Sequence, residues 1–228
     1  MFYGPYFWMF TIPALIITIW SQWKLRSTYA KFSKVEASNG MNGADVAREI
    51  LDREGLGQVP VEEVEGHLTD HYDPRTRSVH LSSDIYHGTS LAALGVAAHE
   101  CGHAIQHKHA YAPLHIRMAI VPITTFASGM APLLLLGGFL IPTAFKFCLD
   151  LAILVFSLCV VFQVITLPVE YDASSRAKAR LSGMGVVTER EAFGVSKVLN
   201  AAALTYVAAL LVAVLELLRL VAIRDSRD

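Results

Sequence analysis

Residues 97–107, AAHECGHAIQH, contain two histidines and a glutamate in the pattern His-Glu-x-x-His. On an α-helix, which turns by about 100° per residue, His99 and His103 lie about 40° apart, so both imidazoles can reach one ion. Glu100 lies beside them, where a carboxylate that does not bind the metal can take a proton from water. The spacing therefore predicts a catalytic zinc site with His99 and His103 as ligands and Glu100 as the general base.

The motif alone leaves the third ligand open. His109 has the spacing of the third histidine of metzincins, but Gln106 stands where those enzymes need a chain-reversing glycine. Glu170 is the first charged residue after a long apolar run, and we expect its helix to begin just past Pro168. Cys101 is excluded because its thiol points about 200° away from His99 on a helix.

The composition predicts that this site belongs to a membrane protein. The chain is 54% hydrophobic and 17% charged, and its mean hydropathy of +0.44 is high for a soluble domain. A spanning helix needs about 17 to 25 mostly apolar residues. Four runs without Asp, Glu, Lys or Arg meet that length, at residues 1–23, 118–145, 151–169 and 198–215. We therefore predict an α-helical membrane protein with about four transmembrane helices.

The spans divide the chain into segments with different roles. We expect a first span (1–23), a polar α/β region with the motif (24–117), spans two and three (118–169), a second polar segment (170–197), a fourth span (198–223) and a tail (224–228).

The polar region reads as a small α+β unit. Residues 42–55 form an amphipathic pattern that begins at Asn42 and stops at a glycine, which predicts a helix. Residues 58–64 and 78–82 are predicted strands, with the turn-prone sequence Asp-Pro-Arg-Thr at 73–76 before the second. Thr89 or Ser90 is expected to cap the helix that carries the motif, which ends before Pro113.

The distribution of basic residues predicts which side of the membrane holds the site. Lysines and arginines flank the polar region and crowd residues 170–197, which places both segments in the cytoplasm and the N-terminus outside. Arg224 and Arg227 in the tail oppose this bias. Two spans separate the motif from Glu170, and an even number returns the chain to the face it left. Glu170 can therefore reach the two histidines.

At this point the chain resembles a known family. His99-Glu-Cys-Gly-His103, followed after two spans by Glu170-Tyr-Asp-Ala-Ser-Ser-Arg-Ala177, is similar to the gluzincin membrane metallopeptidases of the HtpX kind. It looks most like the YugP-like neutral zinc metallopeptidases of bacteria. Further resemblance lies in LTDHYDPRTRSVHLS, HGTSLAALGVAAHECGHAIQH and KVLNAAALTYVAALL, so it covers nearly the whole chain.

The resemblance implies a zincin-like catalytic unit that holds one Zn²⁺ per chain on His99, His103 and Glu170. It also implies that a substrate peptide adds as an extra strand to an edge strand made of Val79, His80, Leu81 and Ser82. The HtpX kind carries an aspartate four residues after the ligand glutamate, where this chain has Ser174. Asp172 is about 200° away from Glu170 on a helix, so it is a poor substitute for the aspartate that supports a zinc-bound histidine in the HtpX kind. Arg176 is a candidate to steady the oxyanion.

We therefore expect a membrane-anchored zinc endopeptidase that hydrolyses membrane or misfolded proteins at the cytoplasmic face of a bacterial plasma membrane. One alternative is an intramembrane protease of the site-2 kind, but only residues 91–98 are apolar before the motif and no Leu-Asp-Gly is present. Another is a non-catalytic, zinc-stabilised scaffold, which would have little use for Glu100.

The predicted partners are a polypeptide substrate and the lipid bilayer. A net charge of −1 gives no basis for nucleic-acid binding. The sequence leaves adaptor proteins and self-association open.

Overall fold

The computed structural model describes residues 6–226 and is mostly helical. A π-helical turn at Phe7–Thr11 precedes α1, and a 3-10 turn at Pro142–Ala144 precedes α6. The α-helices are α1 (Ile12–Phe32), α2 (Gly43–Arg53), α3 (Ser83–Tyr86), α4 (Leu91–Lys108), α5 (Ala112–Leu140), α6 (Phe145–Gly183) and α7 (Glu189–Asp225). The strands are β1 (Val61–Val64), β2 (His71–Asp73) and β3 (Ser78–Ser82).

The chain divides into two compact units. We call Trp23–Leu114 with Val169–Leu204 the polar unit, and Met1–Gln22 with His115–Pro168 and Thr205–Asp228 the apolar unit. The His-Glu-x-x-His motif and Glu170 both fall in the polar unit. The whole candidate site can therefore be described within one unit.

Two helices of the polar unit, α2 and α4, begin where the sequence predicts. Asn42 caps α2, because its Oδ1 accepts a hydrogen bond from Asp45 N at 2.8 Å. Ser90, rather than Thr89, caps α4 through a 3.2 Å hydrogen bond from Ala93 N. Apolar side chains of both helices are buried in one core, among them Val46, Ala47, Ile50, Leu51, Leu94, Ala97, Cys101 and Ile105. This packing fixes which face of α4 remains for the motif.

A three-stranded sheet completes the polar unit, in the order β1-β3-β2. β1 runs parallel to β3, with Val61 opposite Val79. β2 runs antiparallel to β3, with Tyr72 opposite Val79. Val79 and Leu81 are fully buried in the core.

The prediction that Val79, His80, Leu81 and Ser82 form an edge strand is wrong. β3 is the central strand, because β1 pairs along one side of it and β2 along the other. Asp70 covers the end of β3 beyond β2, where its Oδ1 accepts a 2.7 Å hydrogen bond from Ser82 N. The edge was an expectation from the family resemblance, and the short strand β2, which the sequence pattern does not predict, occupies one side of β3.

The apolar unit contains long hydrophobic helix segments. Within residues 6–226, three helical stretches are long and apolar enough to cross a membrane: Ala112–Leu140, Pro142–Gly183 and Glu189–Asp225. Residues 1–5 of the predicted first span and residues 227–228 of the predicted tail lie outside the described residues. The count of four spans stays a prediction.

The helix that carries Glu170 does not begin past Pro168, as the sequence suggested. Pro168 lies inside α6, which runs without interruption from the apolar unit to Gly183 in the polar unit. A proline removes one backbone donor, but a long helix in a membrane protein can tolerate that loss.

Candidate metal centre

The helix α4 presents the two motif histidines side by side. The ring centroids of His99 and His103 are 4.8 Å apart, with the ring planes nearly perpendicular. Both rings are largely buried, with side-chain exposures of 15% for His99 and 11% for His103. The helical spacing of four residues therefore produces the convergence that the sequence predicts.

Cys101 lies on the opposite side of α4, as expected. Its Sγ is fully buried and contacts the backbone oxygen of Ala47 at 3.6 Å. Burial raises the pKa of this thiol well above its ordinary value. Cys101 is therefore a core residue and is kept away from the histidines.

The helix α6 brings Glu170 to both histidines. Glu170 Oε2 lies 3.2 Å from His99 Nε2 and 3.6 Å from His103 Nε2. One ligand atom from each of the three residues lies within 4.8 Å of the others, and the Glu170 side chain is 2% exposed. Within residues 6–226, no other group of three or more histidine, cysteine or acidic side chains brings its ligand atoms this close together.

The donor set fits a divalent metal ion. Two imidazole nitrogens and one carboxylate oxygen are the protein ligands typical of an open zinc site. The second nitrogen of each ring is held by a neighbouring side chain. His99 Nδ1 contacts Ser174 Oγ at 3.2 Å, and His103 Nδ1 contacts Gln106 Oε1 at 3.0 Å. Each Nε2 is thus turned towards Glu170. The arrangement can hold one metal ion between α4 and α6.

Close packing of α4 against α6 depends on a glycine in the motif. A Cβ atom on Gly102 would lie 2.5 Å from the backbone oxygen of Ala173, well inside van der Waals contact. Ala173 is three residues after Glu170. The absence of a side chain at position 102 therefore sets the distance between the two histidines and the third candidate ligand.

Ser174, the residue that replaces the aspartate of the HtpX kind, does contact a motif histidine. Its Oγ reaches His99 Nδ1, although Ser174 has a shorter side chain and no charge. Ser174 is itself buried. The position therefore keeps a polar contact to His99 despite the change of residue.

Asp172 and Arg176 form a pair beside the centre. Asp172 Oδ2 accepts hydrogen bonds from Arg176 Nε at 2.6 Å and from Gln106 Nε2 at 2.8 Å. Gln106 is fully buried and also donates to the backbone oxygen of Val169 at 2.7 Å. Asp172 thus contacts His103 indirectly, through Gln106. The sequence reading missed Gln106, whose signal was its position three residues after His103 on the same helical face.

His109, the alternative third ligand, lies outside the group. It follows the last residue of α4 as its C-cap, and its Nδ1 lies 3.4 Å from Arg176 Nη1. The geometry therefore favours Glu170 over His109 for the third position.

The charges around His103 favour its protonated form when no metal is present. Burial of the ring acts to lower the pKa of His103, but the hydrogen bond and negative charge of Glu170 outweigh burial and raise it. The charge of Glu100 acts in the same direction. The pocket is therefore built to stabilise positive charge between its carboxylates.

Glu100 is the acidic residue of the motif on α4. The residue is 7% exposed, and no hydrogen bond to its carboxylate is found within the described part of the chain. A carboxylate next to His99 on α4 that makes no hydrogen bond to these residues is available to accept a proton.

The predicted strand residues Val79, His80, Leu81 and Ser82 are not among the side chains that converge on Glu170. Val79 and Leu81 belong to the core, and His80 contacts Ser78 Oγ at 2.8 Å and lies 3.4 Å from Glu62. The strand that reaches α4 with a polar contact is β2, where the Tyr72 hydroxyl is 2.8 Å from His107 Nδ1.

Comparison with known proteins gives two matches. Residues 7–225 match the family described as "Putative neutral zinc metallopeptidase". The chain is 54% identical over 219 residues to "Putative membrane protease YugP" of Bacillus subtilis (strain 168), which covers 96% of each chain. No solved structure matches the chain.

Proposed function

Because the chain belongs to the neutral zinc metallopeptidase family, we propose that it is a membrane-anchored zinc metalloendopeptidase with a gluzincin-type site. The observation that carries the proposal is the convergence of His99, His103 and Glu170 from two helices. These three residues would hold one Zn²⁺. Membrane proteins or misfolded proteins at the cytoplasmic face would be the substrates.

The reaction is hydrolysis of a peptide bond. Bound zinc supplies Lewis-acid polarisation of a carbonyl oxygen and a more acidic water. Glu100 would take the proton of the attacking water and pass it to the leaving amine, because it adjoins His99 on α4 and its charge acts on His103. Hydrolysis needs both proton transfers, because the water attacks as its proton is removed and the amine leaves poorly unless it gains one.

Arg176 remains our candidate for stabilising negative charge on the reacting carbonyl. Its Nε donates a hydrogen bond to Asp172, which orients the guanidinium, and its Nη1 lies 3.4 Å from His109 Nδ1. Preorganised donors of this kind stabilise charge that develops in the transition state. Replacement of Arg176 by glutamine should lower kcat more than it raises KM, and an unchanged kcat would exclude the role.

The substrate would add to β2, not to β3. β2 is an edge strand and so offers unpaired backbone groups to an extended peptide. The contact between Tyr72 and His107 places β2 one helical turn beyond His103 on α4. A photo-crosslinking residue at His71 should capture casein, whereas one at Glu62 on the opposite edge should not. The reverse pattern would exclude β2.

We also propose four membrane spans with residues 24–117 and 170–197 in the cytoplasm, as the distribution of basic residues predicts. Three apolar helical stretches support a membrane location, and the relative's printed name is that of a membrane protease. The helix α4 is not among the candidate spans of the described residues, which argues against an intramembrane site of the site-2 kind.

The test is a Glu100→Gln variant of the full chain in detergent or nanodiscs. We expect it to retain zinc at one ion per chain and to lose casein hydrolysis by at least about 100-fold, because general acid–base catalysis contributes about 10²–10⁴ in rate. Removal of zinc by a chelator should abolish hydrolysis in the unmodified chain, and added zinc should restore it.

The exposed Glu65 supplies the matched control. Glu65→Gln should keep both zinc and activity. Wild-type hydrolysis by Glu100→Gln would overturn the role of Glu100, and absence of zinc from the unmodified protein would overturn the proposed function as a whole.

A further inference from the structure

The contacts of Gln106 determine the orientation of its side-chain amide. Its Nε2 lies 2.7 Å from the backbone oxygen of Val169 and 2.8 Å from Asp172 Oδ2. A backbone carbonyl can only accept a hydrogen bond, and the Asp172 oxygen also accepts from Arg176 Nε. The NH₂ end of the amide must therefore face these two oxygens. The carbonyl end then faces His103.

This orientation fixes the position of the proton on His103. Gln106 Oε1 is 3.0 Å from His103 Nδ1 and can only accept, so Nδ1 must carry a hydrogen. In a neutral imidazole the other nitrogen, Nε2, then keeps the free lone pair. Nε2 is the atom that lies 3.6 Å from Glu170 Oε2.

His99 is held differently. Its Nδ1 contacts the hydroxyl of Ser174 at 3.2 Å, and a hydroxyl can either donate or accept. The Ser174 contact is therefore compatible with both tautomers of His99. Ser174 therefore imposes no tautomer on His99, whereas Gln106 imposes one on His103.

We propose that Gln106 is a positioning residue that holds His103 with Nδ1 protonated and Nε2 free for the metal, and that Asp172 and Arg176 act through it. This inference rests on the proposed function. The same amide joins the two helices that carry the ligands, because Val169 and Asp172 flank Glu170 on α6. Gln106 thus positions His103 directly, and it also holds α6, the helix that carries Glu170, through hydrogen bonds.

Zinc affinity of the full-length protein tests the proposal. Gln106→Met has nearly the same volume but cannot accept a hydrogen bond from Nδ1, so zinc should bind about 10- to 100-fold more weakly, as for other contacts that orient metal-bound histidines. Ser174→Ala is the matched control at His99 and should weaken binding less. The dissociation constant is measured by competition with a chromophoric chelator.

A rescue experiment separates positioning from packing. Gln106→Glu sets a carboxylate against two acceptors, the backbone oxygen of Val169 and Asp172, and should also weaken zinc binding. A second change, Asp172→Asn, offers an amide donor to that new carboxylate, so the Gln106→Glu/Asp172→Asn variant should recover at least about threefold of the lost affinity. A residue that only fills space would show no such recovery. The thermal midpoint of each metal-free variant reports packing separately.

The outcomes distinguish the two proposals. If the unmodified chain binds zinc and Gln106→Met binds it within twofold, the positioning role is wrong while the proposed function stands. Equal losses in Gln106→Met and Ser174→Ala, with no rescue by Asp172→Asn, would also overturn the positioning role. If the unmodified chain binds no zinc, the proposed function fails, and this inference fails with it.

Discussion

At the scale of single residues, the candidate centre is defined by which atoms face each other. Glu170 and His109 were both possible third ligands, and only Glu170 places an oxygen beside both His99 Nε2 and His103 Nε2. A buried carboxylate at this position compensates the charge of a divalent ion, whereas His109 is turned to Arg176. Replacement of Glu170 and replacement of His109 should therefore have opposite effects on zinc binding.

We expect Glu170→Ala to lose zinc and His109→Ala to keep one zinc per chain. The loss should be at least about tenfold in affinity, since an open zinc site normally needs its three protein ligands. Metal analysis of the two purified variants after the same dialysis checks this. Retention of zinc by Glu170→Ala, or its loss from His109→Ala, would assign the third ligand differently.

The raised pKa of His103 predicts that zinc binding is coupled to proton release. Glu170 favours the protonated ring in the metal-free protein, whereas a metal ligand must be neutral. The attraction between protonated His103 and Glu170 stabilises the metal-free protein. It contributes fully at pH values below the ordinary imidazole pKa of about 6.5, and it is lost as the pH rises through the raised pKa of His103. Zinc affinity should therefore increase with pH across this window.

Calorimetry measures the released proton directly. The zinc-binding enthalpy at pH 7 should differ between buffers of different ionisation enthalpy, and the difference should shrink at higher pH. Equal enthalpies in all buffers at pH 7 would show that His103 is already neutral before zinc binds.

At the scale of helices and strands, the contact between α4 and α6 sets the geometry of the centre. Gly102 permits this contact, because a Cβ atom there would meet the backbone of Ala173 at 2.5 Å. Backbone atoms cannot rotate away as a flexible side chain can. The two helices would have to separate, which moves Glu170 away from His99 and His103.

We therefore expect Gly102→Ala to weaken zinc binding and to destabilise the protein by about 1–3 kcal/mol, as in other overpacked interiors. The control is Gly183→Ala at the end of α6, where nothing lies within 4 Å of the added atom; that change should alter stability by no more than about 1 kcal/mol. Zinc affinity and the thermal midpoint of both variants check this. Normal zinc binding by Gly102→Ala would show that the helices can adjust.

The sequence predicted those parts of the site that a single helix determines. The spacing of His99, Glu100 and His103 fixes their common face once α4 forms, and Ser90 marks where α4 begins. Glu170 is 71 residues from His99, so its place beside the histidines was an expectation from span counting and family resemblance. The sequence shows Gln106 only as the residue in place of the metzincin glycine, because its contacts come from another helix.

The errors in the predicted elements have similar causes. β2 has three residues, which is too short for an alternating pattern to be recognised. The pattern of residues 78–82 shows a strand but not its place in the sheet, which came from the family resemblance and proved to be central. Pro168 was read as a helix boundary, but proline in a long apolar helix removes only one backbone hydrogen bond. In both cases the structure depends on pairing or helix formation over a longer range than the few residues from which the element was predicted.

At the scale of the whole molecule, a metal ion shared by His99, His103 and Glu170 would constrain how the chain can cross a membrane. His99 and Glu170 belong to one compact unit, and residues 115–168 of the apolar unit lie between them in the sequence. If that stretch crosses the bilayer, it must cross an even number of times. The two helical stretches Ala112–Leu140 and Pro142–Gly183 are apolar enough to supply two crossings.

Labelling of single cysteines in cells tests this arrangement. In a chain with Cys101, Cys148 and Cys159 replaced, new cysteines are introduced at four exposed positions: Glu65 and Arg190 in the polar unit, and Thr143 and Ser226 in the apolar unit. A membrane-impermeant maleimide should label positions 143 and 226 on intact cells, and positions 65 and 190 only after permeabilisation. The reason is that basic residues concentrate in the two polar segments, and such segments stay in the cytoplasm. Labelling of positions 65 and 190 from opposite sides would separate α4 from Glu170 by the bilayer, and no shared metal ion would then be possible.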